Sequence, residues 1–301
     1  MNSAEKPTSF ENVSTSEALQ LIERNEVRVL DVRTPEEFEE LGHIPGAVLL
    51  PMNLLPAGLA TFHNDDRPLL ICCEHGIRSV AAAEFLAHCG MPNLMNLAGG
   101  MSVWSGSRSH DPGTPFGTHG PSSWIPHTAD LLPRNGKVLD VACGRGRHAL
   151  LFAASGFEVV AVDHNEEAIK FLEDTAQRAA LPLQAEVRDL EHGEADLGQN
   201  MFDVIVVVHY LHRPLFPALI TALRPGGLLV YETFTVDQAA RGKPTNPAFL
   251  LEHGELERLV EPLEVLRQRD GDFESRFVAS IAARKKPENT QADGTRSRET
   301  S

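Results

Sequence analysis

The sequence predicts two α/β domains in tandem, and three observations carry that reading. Short aliphatic and β-branched runs, among them VRVLDV (27–32), PLLIC (68–72), VLDV (138–141), FEVVAV (157–162) and VIVVV (204–208), read as strands buried on both faces. Stretches of helical composition separate them, which is the pattern of a parallel sheet covered by helices. Between the two sets of strands lies SGSRSHDPGTPFGTHGP (105–121), so dense in Ser, Gly and Pro that it cannot bury an apolar face. The expected division is a domain over 8–105, a flexible linker over 106–121 and a second domain over 122–286. The polar, aperiodic residues 287–301 predict a disordered tail.

Composition narrows the function classes. The chain has 301 residues, 42% of them hydrophobic, enough for two real cores, and no apolar run approaches a membrane span. The start, MNSAEKPTSF, has no apolar h-region, so a cytoplasmic protein is expected and a membrane is not an expected partner. Cys72, Cys73, Cys89 and Cys143 are too few for a disulfide framework in such a chain, and reduced thiols are expected. Net charge is −15, with 14 acids against 6 bases in residues 1–105 and 24 against 18 in residues 122–286. That balance is the opposite of a nucleic-acid footprint and favours a small-molecule or protein substrate. No metal site is assigned.

In the first domain, Phe10 to Ile22 contains a helix with Ser14 or Ser16 as its cap and Ala18, Leu19 and Ile22 as its apolar face. The strand 27–32 ends in Asp31-Val32-Arg33. Thr34-Pro35-Glu36-Glu37 then starts a helix, with a Thr cap, Pro at the first helical position and Glu three residues beyond the cap. Gly42 to Ala47 is a loop leading to the strand VLL. PLLIC runs into Cys73-Glu74-His75-Gly76-Ile77-Arg78-Ser79, and Val80 to Cys89 is a helix. A cysteine leaving a buried strand at a loop that enters a helix sits among converging backbone N–H groups, which stabilise an anionic sulfur. Alternatively, Cys73 is a small buried apolar residue. Cys72 stands at Cys-x5-Arg from Arg78, the spacing of a phosphatase loop, but PLLIC as continuous strand points Cys72 into the core.

LDVRTPEEF, GHIPGA, CEHGIRS and LAGGMSVW occur in the order seen in rhodanese-type sulfurtransferases, and residues 8–105 resemble that family as one whole domain. The resemblance implies a small α/β domain with a central parallel sheet. It also implies a Cys73 thiolate that takes sulfane sulfur as a persulfide and passes it to an acceptor. Arg78 would fix the loop or bind an anionic donor. Glu74 inside the loop repels such a donor, so poor use of thiosulfate is expected, with a protein persulfide or another sulfane-sulfur donor instead.

In the second domain, Ser122 to Leu132 is expected to cover the mouth of a cofactor site, with Trp124 packed there. The strand 138–141 ends at a tight turn, Cys143-Gly144-Arg145-Gly146, and a helix opens at Arg147. The glycines let the backbone pass close to a ligand, and the helix offers free N–H groups. A second strand ends at Asp163, where doubly wound folds place a ribose-binding acid close to twenty residues beyond the glycine turn. Asn165 to Ala179 is an amphipathic helix, Leu183 to Val187 a third strand leading to Asp189-Leu190, and VIVVV a fourth. Arg224-Pro225-Gly226-Gly227 turns into LLVYETF, the fifth.

This order, with Asp140-x-Ala142-x-Gly144-x-Gly146, resembles class I S-adenosylmethionine-dependent methyltransferases of the tellurite-resistance or small-molecule type. Ala142 stands where that family has glycine. The resemblance implies a Rossmann-like domain with a mostly parallel seven-stranded sheet, Val265 to Arg269 and Phe277 to Ala282 forming its antiparallel finish. S-adenosyl-L-methionine would meet Asp140, Ala142, Cys143, Gly144 and Gly146 at the turn, Asp163 and His164 at the ribose, and Asp189 and Leu190 near the adenine. His209, Tyr210, His212 and Arg213 follow the fourth strand, at the edge where the methyl acceptor would bind. The Asn-Pro-Pro-Tyr element of nitrogen-directed relatives is absent there, which favours a small thiol or other chalcogen acceptor. His209 either takes the acceptor's proton or caps the strand end. The insertion Asp237 to Asn246 is a substrate lid or a solvated loop. The whole reads as a methyltransferase fused to a sulfurtransferase. Two alternatives stand: a regulatory first domain, or a sulfurtransferase carrying a cofactor-sensing second domain.

Overall fold

The computed structural model describes residues 10–62, 65–111, 120–192 and 196–287. The predicted tail therefore lies, but for its first residue, outside the described residues, as does the middle of the linker. The first domain runs β1 (Glu11–Val13), α1 (Thr15–Glu23), β2 (Arg28–Asp31), α2 (Pro35–Glu40), β3 (Val48–Leu49), α3 (Leu55–Gly58), β4 (Leu69–Cys72), α4 (Ile77–His88) and β5 (Leu94–Leu97). Its five strands form one parallel sheet in the order β1-β5-β4-β2-β3. Two predicted helix starts hold. Ser14 caps α1 by accepting the Glu17 N–H, and Thr34 and Glu37 close a capping box around α2. The edge strand β1 lies ahead of the Ser14 cap, in a stretch for which no strand was expected; three residues carry too little periodicity to announce one, and tertiary pairing with β5 decides it.

The second domain runs α5 (Trp124–His127), β6 (Lys137–Val141), α6 (Arg147–Ala154), β7 (Glu158–Asp163), α7 (Glu166–Arg178), β8 (Leu183–Val187), β9 (Phe202–Val208), α8 (Phe216–Ala222), β10 (Leu223–Phe234), α9 (Gln238–Arg241), α10 (Glu255–Leu259), β11 (Glu264–Phe273) and β12 (Arg276–Arg284). The sheet has seven strands in the order β11-β12-β10-β9-β6-β7-β8. All pairs are parallel except those made by β12, which is antiparallel to both neighbours. From β6 the chain builds outwards to β7 and β8, then returns to add β9 and β10 on the other side. The crevice outside the carboxyl ends of β6 and β9 is thus the switch point at which such sheets bind ligands. Pro225-Gly226-Gly227 does not precede β10 but lies within it, where the register with β9 shifts between Leu223 and Leu228.

The linker is shorter than its composition suggests. His43 and Ser109 exchange backbone hydrogen bonds of 2.8–2.9 Å, so residues up to Asp111 lie against the first domain, and Ser122 is already buried in the second. The two domains also touch directly. α3 packs against α6, and Leu55, Leu59 and Phe62 share one apolar cluster with Leu150, Leu151 and Phe152. Among the described residues no helix is long and apolar enough to cross a membrane.

Two candidate active sites

The turn after β6 is built by three backbone demands. Ala142 has φ +53°, Gly144 +55° and Gly146 +79°, all in the left-handed region that favours glycine. A Cβ on Gly146 would stand 2.4 Å from Leu172 Cδ1, so this glycine lets α7 close on the turn. A Cβ on Gly144 would meet nothing within 4 Å: it faces open space. The Gly144 N–H donates to Asp163 Oδ2 at 2.7 Å, and the Asn165 N–H donates to Oδ1 at 2.9 Å. One buried carboxylate at the end of β7 thereby ties the glycine turn to the start of α7.

Beside this turn is a cavity of about 830 Å³, whose walls include Ala142, Asp163, His164, Asp189, Leu190, His209, Tyr210, Phe234 and Lys243. It thus brings together six of the expected site residues: Ala142, Asp163, His164, Asp189, Leu190 and His209. Asp140, Cys143, Gly144 and Gly146 are not among its walls. Asp140 is 1% exposed and its Oδ2 accepts the Ala149 N–H at 2.9 Å, so it anchors α6 from below. Burial pushes its carboxyl up to about 7. Cys143 is buried and its thiol is pushed up by that burial. Arg213 belongs to the protein framework: its guanidinium is bidentate to Glu255 and donates to the Ala248 and Leu250 carbonyls. His212 precedes a short 3₁₀ turn and does not line the cavity. Of the insertion 237–246, Lys243 to Asn246 and the following Phe249 line the cavity, which favours the lid reading. Trp124 departs from expectation. It is fully buried against β12, where its indole N–H donates to the Ile281 carbonyl and Arg269 stacks on its ring.

Behind the cavity lies a cluster that sequence reasoning passed over. Glu232, at the carboxyl end of β10, is 3% exposed and accepts from Ser122 Oγ at 2.5 Å, Ser280 Oγ at 2.6 Å and Arg269 Nη2 at 2.8 Å. Burial opposes its charge, but these three donors outweigh it and hold the carboxyl below its ordinary value. His209 stands in front of this carboxylate. Its φ is +60°, its ring stacks on Phe234, its Nε2 is 3.8 Å from Glu232 Oε1, and Arg147 Nη2 is 3.4 Å from its Nδ1. Burial, then the Arg147 charge, lowers the imidazole to about 4, so it is neutral at pH 7. The signal available for this cluster was a glutamate inside an otherwise apolar strand.

In the first domain, Cys72 and Cys73 leave β4 on opposite faces and join different apolar clusters. Cys72 is fully buried, and burial raises its thiol well above the ordinary value, which removes the phosphatase spacing from consideration. Cys73 Sγ faces the loop, with Ser79 N–H and Ser79 Oγ each at 3.3 Å. Gly99 and Gly100 brace the loop from the far side. A Cβ on Gly100 would fall 2.3 Å from the Cys73 carbonyl, which accepts the Met101 N–H. Arg78 takes the loop-fixing role: its fork closes on Glu37 at 2.5 and 2.7 Å, holding that carboxyl down at about 2. Glu74 does not stand alone in the loop. Its carboxylate meets Arg33 Nη1 at 2.8 Å, and Arg33, fully buried, is also held by Asp31 and the Gly42 carbonyl.

Comparison with known proteins gives a two-part result. The family model for rhodanese-like domains matches residues 14–107, and that for tellurite resistance protein TehB matches residues 125–270. A thiosulfate sulfurtransferase GlpE from Shewanella oneidensis is 37% identical over 100 residues, which is 32% of this chain and 94% of that protein. A probable S-adenosyl-L-methionine-dependent methyltransferase TehB from Haemophilus influenzae is 31% identical over 88 residues, 29% of this chain and 31% of that protein. The match thus spans about a third of the curated methyltransferase's length. A crystal structure of TehB from Haemophilus influenzae aligns over 56% of this chain and 63% of that one, at 23% identity and a TM-score of 0.47.

Proposed function

Because the chain belongs to the rhodanese-like family over residues 14–107 and carries a domain of the TehB family over residues 125–270, we propose that it is an S-adenosylmethionine-dependent methyltransferase for a small, soft chalcogen nucleophile. Joined to it is a sulfurtransferase that works through Cys73. The observation that carries the methyltransferase reading is the Asp163 carboxylate, which lines the cavity together with Ala142 of the glycine turn and is tied to that turn by the Gly144 N–H. Backbone can approach a ligand there, and each Asp163 oxygen, with one lone pair engaged by the turn, has another for a ribose hydroxyl. Leu190, buried in the cavity wall, suits an adenine face, with Asp189 beside it at the rim. S-adenosylmethionine supplies the electrophilic sulfonium methyl when bound.

On this reading the protein's part is to orient and to exclude water. Phe234, Phe249 and the segment Lys243 to Asn246 wall the acceptor side of the cavity. His209 is read as a neutral wall and not as a strong base, since its ring nitrogens face Arg147 and Glu232. A thiol or selenol acceptor, acidic enough to arrive as its anion, needs only positioning in line with the sulfonium methyl. In the first domain, the Cys73 thiolate attacks a sulfane sulfur and holds it as a persulfide, steadied by the Ser79 N–H, before a second thiophile removes it. Four unpaired, buried cysteines support a reducing compartment, the cytoplasm.

Calorimetry with S-adenosylhomocysteine, followed by a labelled-methyl screen of thiols and of selenium and tellurium oxyanions, tests the proposal. Binding with label in one of these acceptors is expected. No binding overturns the cofactor, and binding with no labelled chalcogen product overturns the acceptor class. Cys73→Ser is expected to abolish sulfur transfer and leave methyl transfer unchanged. A parallel fall in methyl transfer would show that the two chemistries are coupled.

A further inference from the structure

The surroundings of Cys73 select among sulfur donors, and this inference rests on the sulfurtransferase reading above. Thiosulfate is a dianion, and a site for it needs cations that are free to meet it. The two guanidiniums nearest the loop in sequence and space are already committed. Arg33 is enclosed by Asp31, Glu74 and the Gly42 carbonyl, and Arg78 is closed bidentately on Glu37. Three carboxylates against two guanidiniums leave this linked set at −1. Arg108, farther out, donates both its terminal nitrogens to the Leu41 and Met101 carbonyls. The expectation that Glu74 repels an anion therefore changes form. Arg33 compensates its charge, and the same bond removes Arg33 as an anion receptor.

The rim is apolar where a charge would have been useful. Ile77, four residues after Cys73 and the first residue of α4, is 78% exposed. Val103 is 56% exposed and joins the same rim, because Gly76 stands against Gly99 and Gly99 against Val103 Cγ2. Cys73 itself is 1% exposed, at the foot of this rim. Two exposed aliphatic side chains on the helix start and turn that flank Cys73 offer an apolar substituent a surface that carries no charge.

We propose that the sulfur donor of Cys73 is an organic sulfane-sulfur monoanion with an apolar substituent, of the type R–SO₂–S⁻, with R seated on Ile77 and Val103. The Cys73 thiolate attacks the terminal sulfur. The donor's S–S bond breaks, its electron pair leaves with the sulfinate R–SO₂⁻, and a new S–S bond forms the Cys73 persulfide. Sulfur is transferred between thiophiles, so no outside oxidant or reductant enters.

The test uses the full chain with thiosulfate, methanethiosulfonate and benzenethiosulfonate, cyanide serving as acceptor. The expected order of kcat/KM is benzene, then methane, then thiosulfate, with about tenfold or more between the extremes. Ile77→Ala narrows that ratio toward one, and Glu74→Gln raises thiosulfate use with little change for the aryl donor. Thiosulfate equal to or better than the aryl donor, or an Ile77→Ala loss that is the same for all three, overturns the donor class and leaves the sulfurtransferase standing. A protein whose Cys73 gains no sulfur atom by mass spectrometry with any donor overturns both.

Discussion

Asp163→Asn separates what this residue does for the protein from what it does for the ligand. Both oxygens already accept backbone N–H groups, Gly144 at 2.7 Å and Asn165 at 2.9 Å. An amide offers a single oxygen, so in either flip its NH₂ faces one of those donors. Leaving that N–H without an acceptor costs about 1–3 kcal/mol, or roughly 2–10 °C in Tm for a domain of this size. On the ligand side, a ribose hydroxyl that donates to a carboxylate contributes about 1.5–3 kcal/mol, so its loss weakens binding by about 10- to 150-fold. Thermal melts report the first quantity, and calorimetry with S-adenosylhomocysteine reports the second. A folded variant whose Kd lies within about threefold of the parent's would refute Asp163 as the ribose acceptor while leaving its role in the turn intact.

Other perturbations follow from the same geometry. Glu232→Ala leaves Arg269 and two hydroxyls facing a void and is expected to cost about 3–5 kcal/mol, read as a Tm fall. Since Glu232 is held below its ordinary pKa, its contribution is present above the unfolded-chain value and lost as pH falls through the folded value. The variant's melts should accordingly be flatter than the parent's under acid. Asp140 runs the other way. Raised to about 7, it keeps a proton that the unfolded chain releases near pH 4, so its burial is harmless at low pH and increasingly destabilising as pH rises to 7. Asp140→Asn retains an oxygen for the Ala149 N–H and should raise Tm at pH 8 but not at pH 4; an equal shift at both would refute the assignment. Ala142→Gly relieves a left-handed alanine and is expected to add about 1 kcal/mol of stability by denaturant titration.

Local chemistry was legible, and chemistry assembled from distant segments was not. Thr34 and Glu37 announce a capping box because the motif closes within four residues. Asp163 could be named from its place after a strand, since the doubly wound fold turns sequence spacing into position. Glu232, by contrast, finds its partners 110, 37 and 48 residues away, and nothing in VYETF says where they are. Arg78 pairs with Glu37 across 41 residues, as does Arg33 with Glu74; the first bond favours the loop-fixing one of Arg78's two expected roles, and the second compensates the charge that the loop alone assigned to Glu74. Trp124 was misplaced for a similar reason, because the strand that covers it, β12, enters the fold last. One long-range feature did leave a trace. RHALLFAA is apolar on nearly every side, and a helix of that kind needs a second covering surface.

That surface is α3 of the first domain, and the contact has a practical outcome. The helix that opens at the glycine turn is clad by a neighbour encoded nearly a hundred residues earlier. Cleaving the backbone between Asp111 and Gly120 should then yield not two independent products but a nicked particle whose pieces co-purify. Expressed from separate genes, the two lengths of chain should rescue each other's solubility, behaving as complementing fragments of a single folding unit.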